Sequence, residues 1–201
     1  GYHPSDLLQA NCVIWVEGPS DRIYLNYWIQ HMNSDLIEGI HYSIMFYGGR
    51  LAAHLTNDDL SEIVEDLISL RRLNRRGVIV IDSDKAQKGA RINETKKRLK
   101  DEFNDGPGHA WITDGREIEN YIPQDQLREA INSVSKNSTI LSDFDKYDNC
   151  LLIKSKKGKE SQASKVEVAR YVSEHFEPSY ENHDLKTQMN KLLVFIKSSN
   201  P

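Results

Sequence analysis

Four carboxylates stand immediately after two short apolar runs. Val13-Ile14-Trp15-Val16 leads into Glu17-Gly18-Pro19-Ser20-Asp21, and Gly77-Val78-Ile79-Val80-Ile81 leads into Asp82-Ser83-Asp84. Short β-branched runs of this kind read as strands of a parallel sheet covered on both faces. In an open α/β sheet, ligands bind beyond the carboxyl ends of the strands. Glu17, Asp21, Asp82 and Asp84 are therefore expected at one sheet edge. Gathered without a counter-charge they repel, and some must take up protons. A divalent cation removes that repulsion, and carboxylate oxygens suit Mg²⁺ or Mn²⁺. The chemistry this implies is metal-dependent phosphoryl transfer, in which a bound ion lowers the pKa of water and stabilises the oxygens of an in-line displacement.

The spacing suggests roles. Glu17 and Asp21 lie one helical turn apart and should hold one ion, with Asp82 reaching it from a neighbouring strand. Asp84 alternates with Asp82 and turns inward either to the same ion or to a second. Ser83 offers an oxygen ligand or a turn hydrogen bond, and the turn is the simpler reading. Glu117 and Glu119 share a parity, so an extended segment would point both to one side. Lys165 opens a predicted helix, where the dipole disfavours a positive charge. A lysine placed there either binds a scissile phosphate and offsets transition-state charge, or is an ordinary surface lysine. Lys154, Lys156, Lys157 and Lys159 form a basic stretch next to it, suited to a phosphate backbone. Arg71, Arg72, Arg75 and Arg76 precede the second apolar run, at the opposite sheet end, and suggest helix capping or partner contact. Tyr47, Trp111 and Tyr121 can stack on bases, but core burial is the simpler role.

These residues need a scaffold. Strands are predicted at 12–17, 43–47, 77–82 and 109–113. Ser20 caps a helix whose apolar face carries Ile23, Tyr24, Tyr27 and Trp28. The second strand ends at Gly48-Gly49-Arg50, and Asn57 or Asp58 caps a helix striped by Leu60, Ile63, Val64, Leu67 and Ile68. A charged helix over 93–103 and a helix from Pro123 to residue 134 follow. The Lys/Ser/Gly-rich stretch 154–164 reads as a mobile low-complexity patch. Two helices close the chain. One has Ser164 and Glu167 at capping-box spacing and a stripe of Val168, Ala169, Val172 and Phe176; the other carries Leu185, Met189, Leu192, Leu193 and Ile196. Alternating strands and helices predict an α/β fold with a parallel sheet and helices on both faces.

Bulk properties narrow the class. The 201 residues suffice for one domain and a small appendage. The net charge of −4, from 26 basic and 30 acidic side chains, argues against coating nucleic acid by bulk electrostatics. It is compatible with a nuclease, since bound ions offset acidic charge and local basic patches steer. No apolar run matches a membrane span and no signal peptide is visible, so a cytoplasmic protein without a membrane partner is expected. Cys12 and Cys150 form no CxxC, and the seven histidines form no HxH or HxxxH pair, so neither a disulfide framework nor a zinc site is expected. There is no GxxxxGK[ST] phosphate loop. The start Gly1-Tyr2-His3-Pro4 lacks a methionine, and a larger parent protein is expected.

Taken together, a glutamate in a glycine turn after the first strand and a DxD pair after the third resemble a Toprim domain, the catalytic module of topoisomerases, bacterial primases and certain nucleases. The strings VEGPSDRIYL (16–25), DSD (82–84) and GREIENYIP (115–123) are most similar to the C-terminal Toprim region of the OLD (overcoming lysogenization defect) family nucleases. The resemblance covers residues 10–125 and reaches the helix at Ser164-Lys165-Val166-Glu167. It implies a four-stranded, mostly parallel sheet in a Toprim catalytic domain over 8–125. A small helical appendage over 126–201 would carry the basic loop and Lys165. It further implies a DNA endonuclease working by a two-metal mechanism with Mg²⁺ or Mn²⁺, Ca²⁺ being a non-productive substitute. Glu17, Asp21, Asp82 and Lys165 would be catalytic, and Glu119, ahead of Glu117, would be a ligand of the second ion. An N-terminal ABC-type ATPase region would be the partner, and phage defence the setting. Two other readings stay open. One is a haloacid-dehalogenase-like phosphatase with Asp82 as nucleophile and Asp84 as acid/base, although that motif carries Thr or Val where Ala86 stands and lies on the first strand. The other is a non-catalytic oligomerisation module serving an ATPase.

Overall fold

The computed structural model describes residues 11–47, 76–136, 138–140 and 143–200. The turn at Gly48-Gly49-Arg50, the helix predicted after Asn57 or Asp58, and Arg71, Arg72 and Arg75 lie outside the described residues. In chain order the elements are β1 (Val13–Val16), α1 (Pro19–Met32), β2 (Ser43–Phe46), β3 (Gly77–Ile81), α2 (Glu94–Asn104), β4 (His109–Ile112) and a 3₁₀ helix (Ile118–Tyr121). There follow α3 (Gln124–Val134), β5 (Ser138–Ile140), β6 (Leu152–Ser155), β7 (Glu160–Gln162), α4 (Lys165–His175) and α5 (Leu185–Ser199).

Four strands form one sheet in the order β2-β1-β3-β4, every pair parallel. Every residue of β1 and β3 is buried, as central strands covered on both faces require. Alternation divides their side chains between two apolar clusters. Ile14, Val16, Val78 and Val80 join residues of α1, α3, α4 and α5 on one face. Val13, Trp15, Ile79 and Ile81 meet Leu99 and Phe103 of α2 on the other. The fold class expected from the alternation is therefore the one observed, a parallel α/β sheet with helices on both faces.

Local chemistry sets the helix starts. Pro19 takes the first position of α1, where its missing N–H is no loss. The cap is Gly18 rather than Ser20, because Asp21 Oδ2 accepts the Gly18 N–H at 2.9 Å and draws Ser20 into the first turn. Of the expected stripe, Tyr24, Tyr27 and Trp28 are buried and Ile23 is only partly buried, while Leu25 and Ile29 are buried beside it. Asn93 Oδ1 accepts from Lys96 N–H at 2.8 Å to start α2. Ser164 Oγ accepts from Glu167 N–H at 3.4 Å to start α4. The stripes of α4 and α5 are buried as predicted, with Phe176 partly buried just past α4.

Trp111 and Tyr121 are core residues. Both are fully buried with Trp28, Trp111 Nε1 donates to Tyr121 Oη at 3.1 Å, and Tyr121 Oη donates to Asp184 at 2.6 Å. Tyr47 is buried as well, and its hydroxyl donates to the Val80 carbonyl at 2.9 Å. Arg76 donates to the Ser198 carbonyl near the end of α5, where a cation meets the negative end of the helix.

The C-terminal part is not purely helical. β5, β6 and β7 form an antiparallel sheet with Thr139 opposite Lys154 and Lys154 opposite Glu160. The stretch read as a mobile low-complexity patch thus forms the turn and second strand of a β6–β7 hairpin. Its turn is closed by Gly158 N–H to Ser155 O at 2.8 Å and Ser155 N–H to Lys159 O at 2.9 Å, with Gly158 at φ 82°. Polar residues hid it. All three side chains of β7 are exposed, so no apolar alternation marks the strand, and the backbone ladder alone holds it. Among the described residues no helix is long and apolar enough to cross a membrane. Cys12 and Cys150 are separate buried thiols.

Candidate metal centre

The chain leaves β3 and β4 at adjacent strand ends, and a hydrogen-bonded clasp ties the two exits together. Ser83 N–H donates to Thr113 Oγ1 at 2.8 Å, and Thr113 Oγ1 donates to Gly115 O at 3.0 Å. Ser83 Oγ donates to the same Gly115 carbonyl at 2.6 Å and accepts from Lys85 N–H at 3.2 Å. Asp84 N–H donates to Arg116 O at 3.0 Å. Gly115 is needed here, because a Cβ at that position would stand 2.7 Å from Asn120 Cβ and 3.0 Å from Lys146 O. Ser83 therefore makes the turn, and its hydroxyl is committed to the clasp.

The clasp presses Asp82 against the 3₁₀ helix. Asp82 Oδ1 accepts the Ile118 N–H at 2.9 Å, one of the donors that a helix start leaves free. Glu117 precedes this helix in extended backbone, and its N–H is held by Asn120 Oδ1 at 2.9 Å. Glu119 lies in the helical turn itself. Glu117 and Glu119 thus come together through a 3₁₀ turn and not through shared parity, since the segment is not extended. Asp82, Glu117 and Glu119 each offer an oxygen within 4.8 Å of the other two, and all three are buried. Glu119 is completely buried, and among the described residues its Oε1 has no hydrogen-bond partner. The hydroxyl of Tyr24, fully buried and also without a partner among the described residues, feels the Glu119 charge.

Lys165, at the first turn of α4, enters this cluster. Its Nζ lies 2.7 Å from Glu117 Oε2, 3.4 Å from Glu119 Oε2 and 3.8 Å from Asp82 Oδ2. The dipole conflict noted in the sequence is resolved by these three carboxylates. Burial by itself lowers the lysine's proton affinity, but the charges of Glu119, Asp82 and Glu117 hold the ammonium above its usual range. One ammonium does not neutralise three carboxylates, and the surplus shows. Burial, then the charges of Asp21 and Glu119, raise Asp82 well above the usual carboxylate range. Burial pushes Glu119 up to about 7 despite Lys165 beside it.

Asp21 adjoins the cluster without being among its three members. It is buried, its Oδ2 holds the Gly18 N–H, its Oδ1 accepts from Ser20 Oγ at 3.4 Å, and burial pushes it up to about 6. Glu17 is exposed at the tip of β1. The register Trp15 opposite Ile79 sets it next to the end of β3, and its charge acts on both Asp21 and Asp82. Asp84 points elsewhere. It sits in the left-handed region at φ 52°, is exposed, and pairs with Lys96 of α2. Glu117 Oε1 also lies 3.4 Å from Arg116 Nε, so this glutamate is shared between the arginine and the cluster. Lys154, Lys156, Lys157 and Lys159 are all exposed on the β6–β7 hairpin.

Sequence reasoning missed two contributors. Lys96 Nζ donates to the Asp82 carbonyl at 2.7 Å while pairing with Asp84, so it ties α2 to the site. The Asn93 cap carried the signal, because it fixes the phase of α2 and sets Lys96 in the first turn. Gly115 gave no signal beyond its type; only the approach of Asn120 shows its importance.

A buried three-carboxylate set with an unpartnered oxygen suits a hard divalent cation, which takes oxygen ligands and relieves the repulsion. No protein-family model matches the chain, and no curated protein or solved structure matches it either.

Proposed function

We propose that the chain is the catalytic part of a divalent-metal-dependent DNA endonuclease of the Toprim type, similar to the OLD family nucleases. The observation that carries this reading is the convergence of Asp82, Glu117 and Glu119 at the carboxyl end of a parallel sheet, with a buried Glu119 oxygen that no donor among the described residues satisfies. Buried polar atoms are nearly always partnered, so an orphan oxygen among carboxylates favours a cation as the missing partner. Asp82, Glu117 and Glu119 would hold one ion, and Glu17 and Asp21 the other. Bound Mg²⁺ or Mn²⁺ would lower the pKa of water and stabilise the attacking and leaving oxygens.

The chain's own residues do the rest. The Gly18 and Ile118 N–H groups fix Asp21 and Asp82 in place before any ligand arrives. Lys165, part exposed and anchored at a helix start, binds a non-bridging phosphate oxygen and offsets the charge that builds at phosphorus. The hairpin lysines contact the phosphate backbone, which carries no sequence information, so cleavage without strong sequence preference follows. An ABC-type ATPase region is the partner this reading assigns. The test is incubation of supercoiled plasmid with the protein in Mg²⁺, Mn²⁺ or Ca²⁺, scored for nicked and linear forms. Nicking in Mg²⁺ or Mn²⁺ that stops on chelation is expected; bound metal with no turnover would leave a non-catalytic module as the better description.

A further inference from the structure

We infer that Lys165 is an internal counter-ion that competes with the divalent cation, and that loading the metal releases its ammonium to the substrate phosphate. This rests on the metal-centre reading above and adds an order of events to it. The geometry carries the inference. Lys165 Nζ approaches Glu117 Oε2 at 2.7 Å, Glu119 Oε2 at 3.4 Å and Asp82 Oδ2 at 3.8 Å, the same three side chains that form the metal-ligand set. A hard cation binds carboxylate oxygens at about 2.0–2.6 Å, closer than the ammonium does, and brings two positive charges where the lysine brings one. The ammonium uses Glu119 Oε2 and leaves Oε1 to the cation, so the two share the same carboxylates, and two like charges at that range repel strongly in a buried site.

The lysine is built to leave. It stands on the first turn of α4, its ammonium is held only by the three carboxylates, and its side chain is 34% exposed while those carboxylates are nearly closed off. Its neighbour Ala163 is buried and Ser164 caps the helix, so the backbone stays while the four-carbon stem swings. With the metal bound, the ammonium loses its three partners and becomes available to a phosphate. Without metal, it shields the carboxylates from one another. Competition of this kind is reciprocal: whatever the metal loses to the lysine, the lysine loses to the metal.

The test is titration calorimetry of Mn²⁺ into the wild-type chain, Lys165→Met and Glu119→Gln. Lys165→Met is expected to bind Mn²⁺ about tenfold more tightly than wild type, within the usual range of coupling between sites, while plasmid nicking is lost. Equal or weaker binding by Lys165→Met would overturn the competition. Unchanged Mn²⁺ binding by Glu119→Gln would instead overturn the metal centre itself, so the two failures are distinct. A second measurement needs no variant. Acylation of Lys165 by acetic anhydride, read by mass spectrometry on the wild-type chain, should rise several-fold when saturating Ca²⁺ is present. Unchanged or reduced labelling would show that the lysine stays where it is, and the proposal would fail.

Discussion

Glu119→Gln should invert the usual sign of a buried polar substitution. Glu119 is completely buried, and burial pushes its carboxyl from the ordinary 4.5 up to about 7. Below pH 4.5 both folded and unfolded chains hold the proton, and the residue contributes no difference. Between 4.5 and 7 the folded chain holds more proton than the unfolded one, so stability falls as pH rises. Above 7 the carboxylate is ionised in both states and the full cost is present, about 3 kcal/mol for this displacement. Glutamine removes the charge and keeps the shape. Its own amide is buried in the same place and costs about 1 kcal/mol. In chelator at pH 8 the variant should therefore be the more stable protein by about 2 kcal/mol. For a chain of 201 residues that is about 4–8 °C in Tm. At pH 4 the wild type carries no such cost, so the order should reverse, with the variant less stable by the amide's share of about 1 kcal/mol. Divalent metal reverses the order: at a hundredfold excess over Kd it stabilises the wild type by about 2.7 kcal/mol, and a variant lacking the key oxygen gains far less. Thermal melts at pH 4 and pH 8, each with EDTA and with Mg²⁺ or Mn²⁺, read all four conditions. A variant less stable than wild type at pH 8 in EDTA, or equal stabilisation of both proteins by metal, would refute the reasoning.

Other consequences follow from the same geometry. Asp82→Ala or Glu17→Ala should abolish nicking while circular dichroism stays native, since each removes charge from a crowded acidic site; full cleavage by either variant would remove that residue from the mechanism. Changing Lys154, Lys156, Lys157 and Lys159 together to Gln should weaken DNA binding and flatten the salt dependence by a slope of about 3–4, as loss of four phosphate contacts requires. An unchanged slope in a filter-binding titration would place DNA elsewhere. Gly115→Ala should cost about 1–3 kcal/mol by overpacking against Asn120 and also weaken Mn²⁺ binding, because the clasp positions Glu117 and Glu119. A urea melt and a calorimetric titration check the two halves separately.

The sheet and its reactive edge follow from residue types and their order alone. Val13–Val16 and Gly77–Ile81 are apolar on both faces, and only a parallel strand covered on both sides accommodates that. Carboxylates at the ends of such strands must share an edge, so the neighbourhood of Asp21 and Asp82 was legible. So were the helix stripes, which follow from period alone. The Lys154–Ser164 stretch was not legible as strands, because β7 buries no side chain and is held by backbone bonds that carry no side-chain signature. Nor was the membership of the acidic cluster. Asp82 and Asp84 look equivalent in sequence, yet a left-handed turn and the Lys96 ion pair carry Asp84 outward while the Ile118 N–H holds Asp82 inward. Glu117 and Glu119 reach the site from a 3₁₀ turn that no parity rule foresees, brought there by the Ser83–Thr113–Gly115 clasp. Which side chains share a site depends on hydrogen bonds between segments about 30 residues apart in sequence, and only the folded chain makes those.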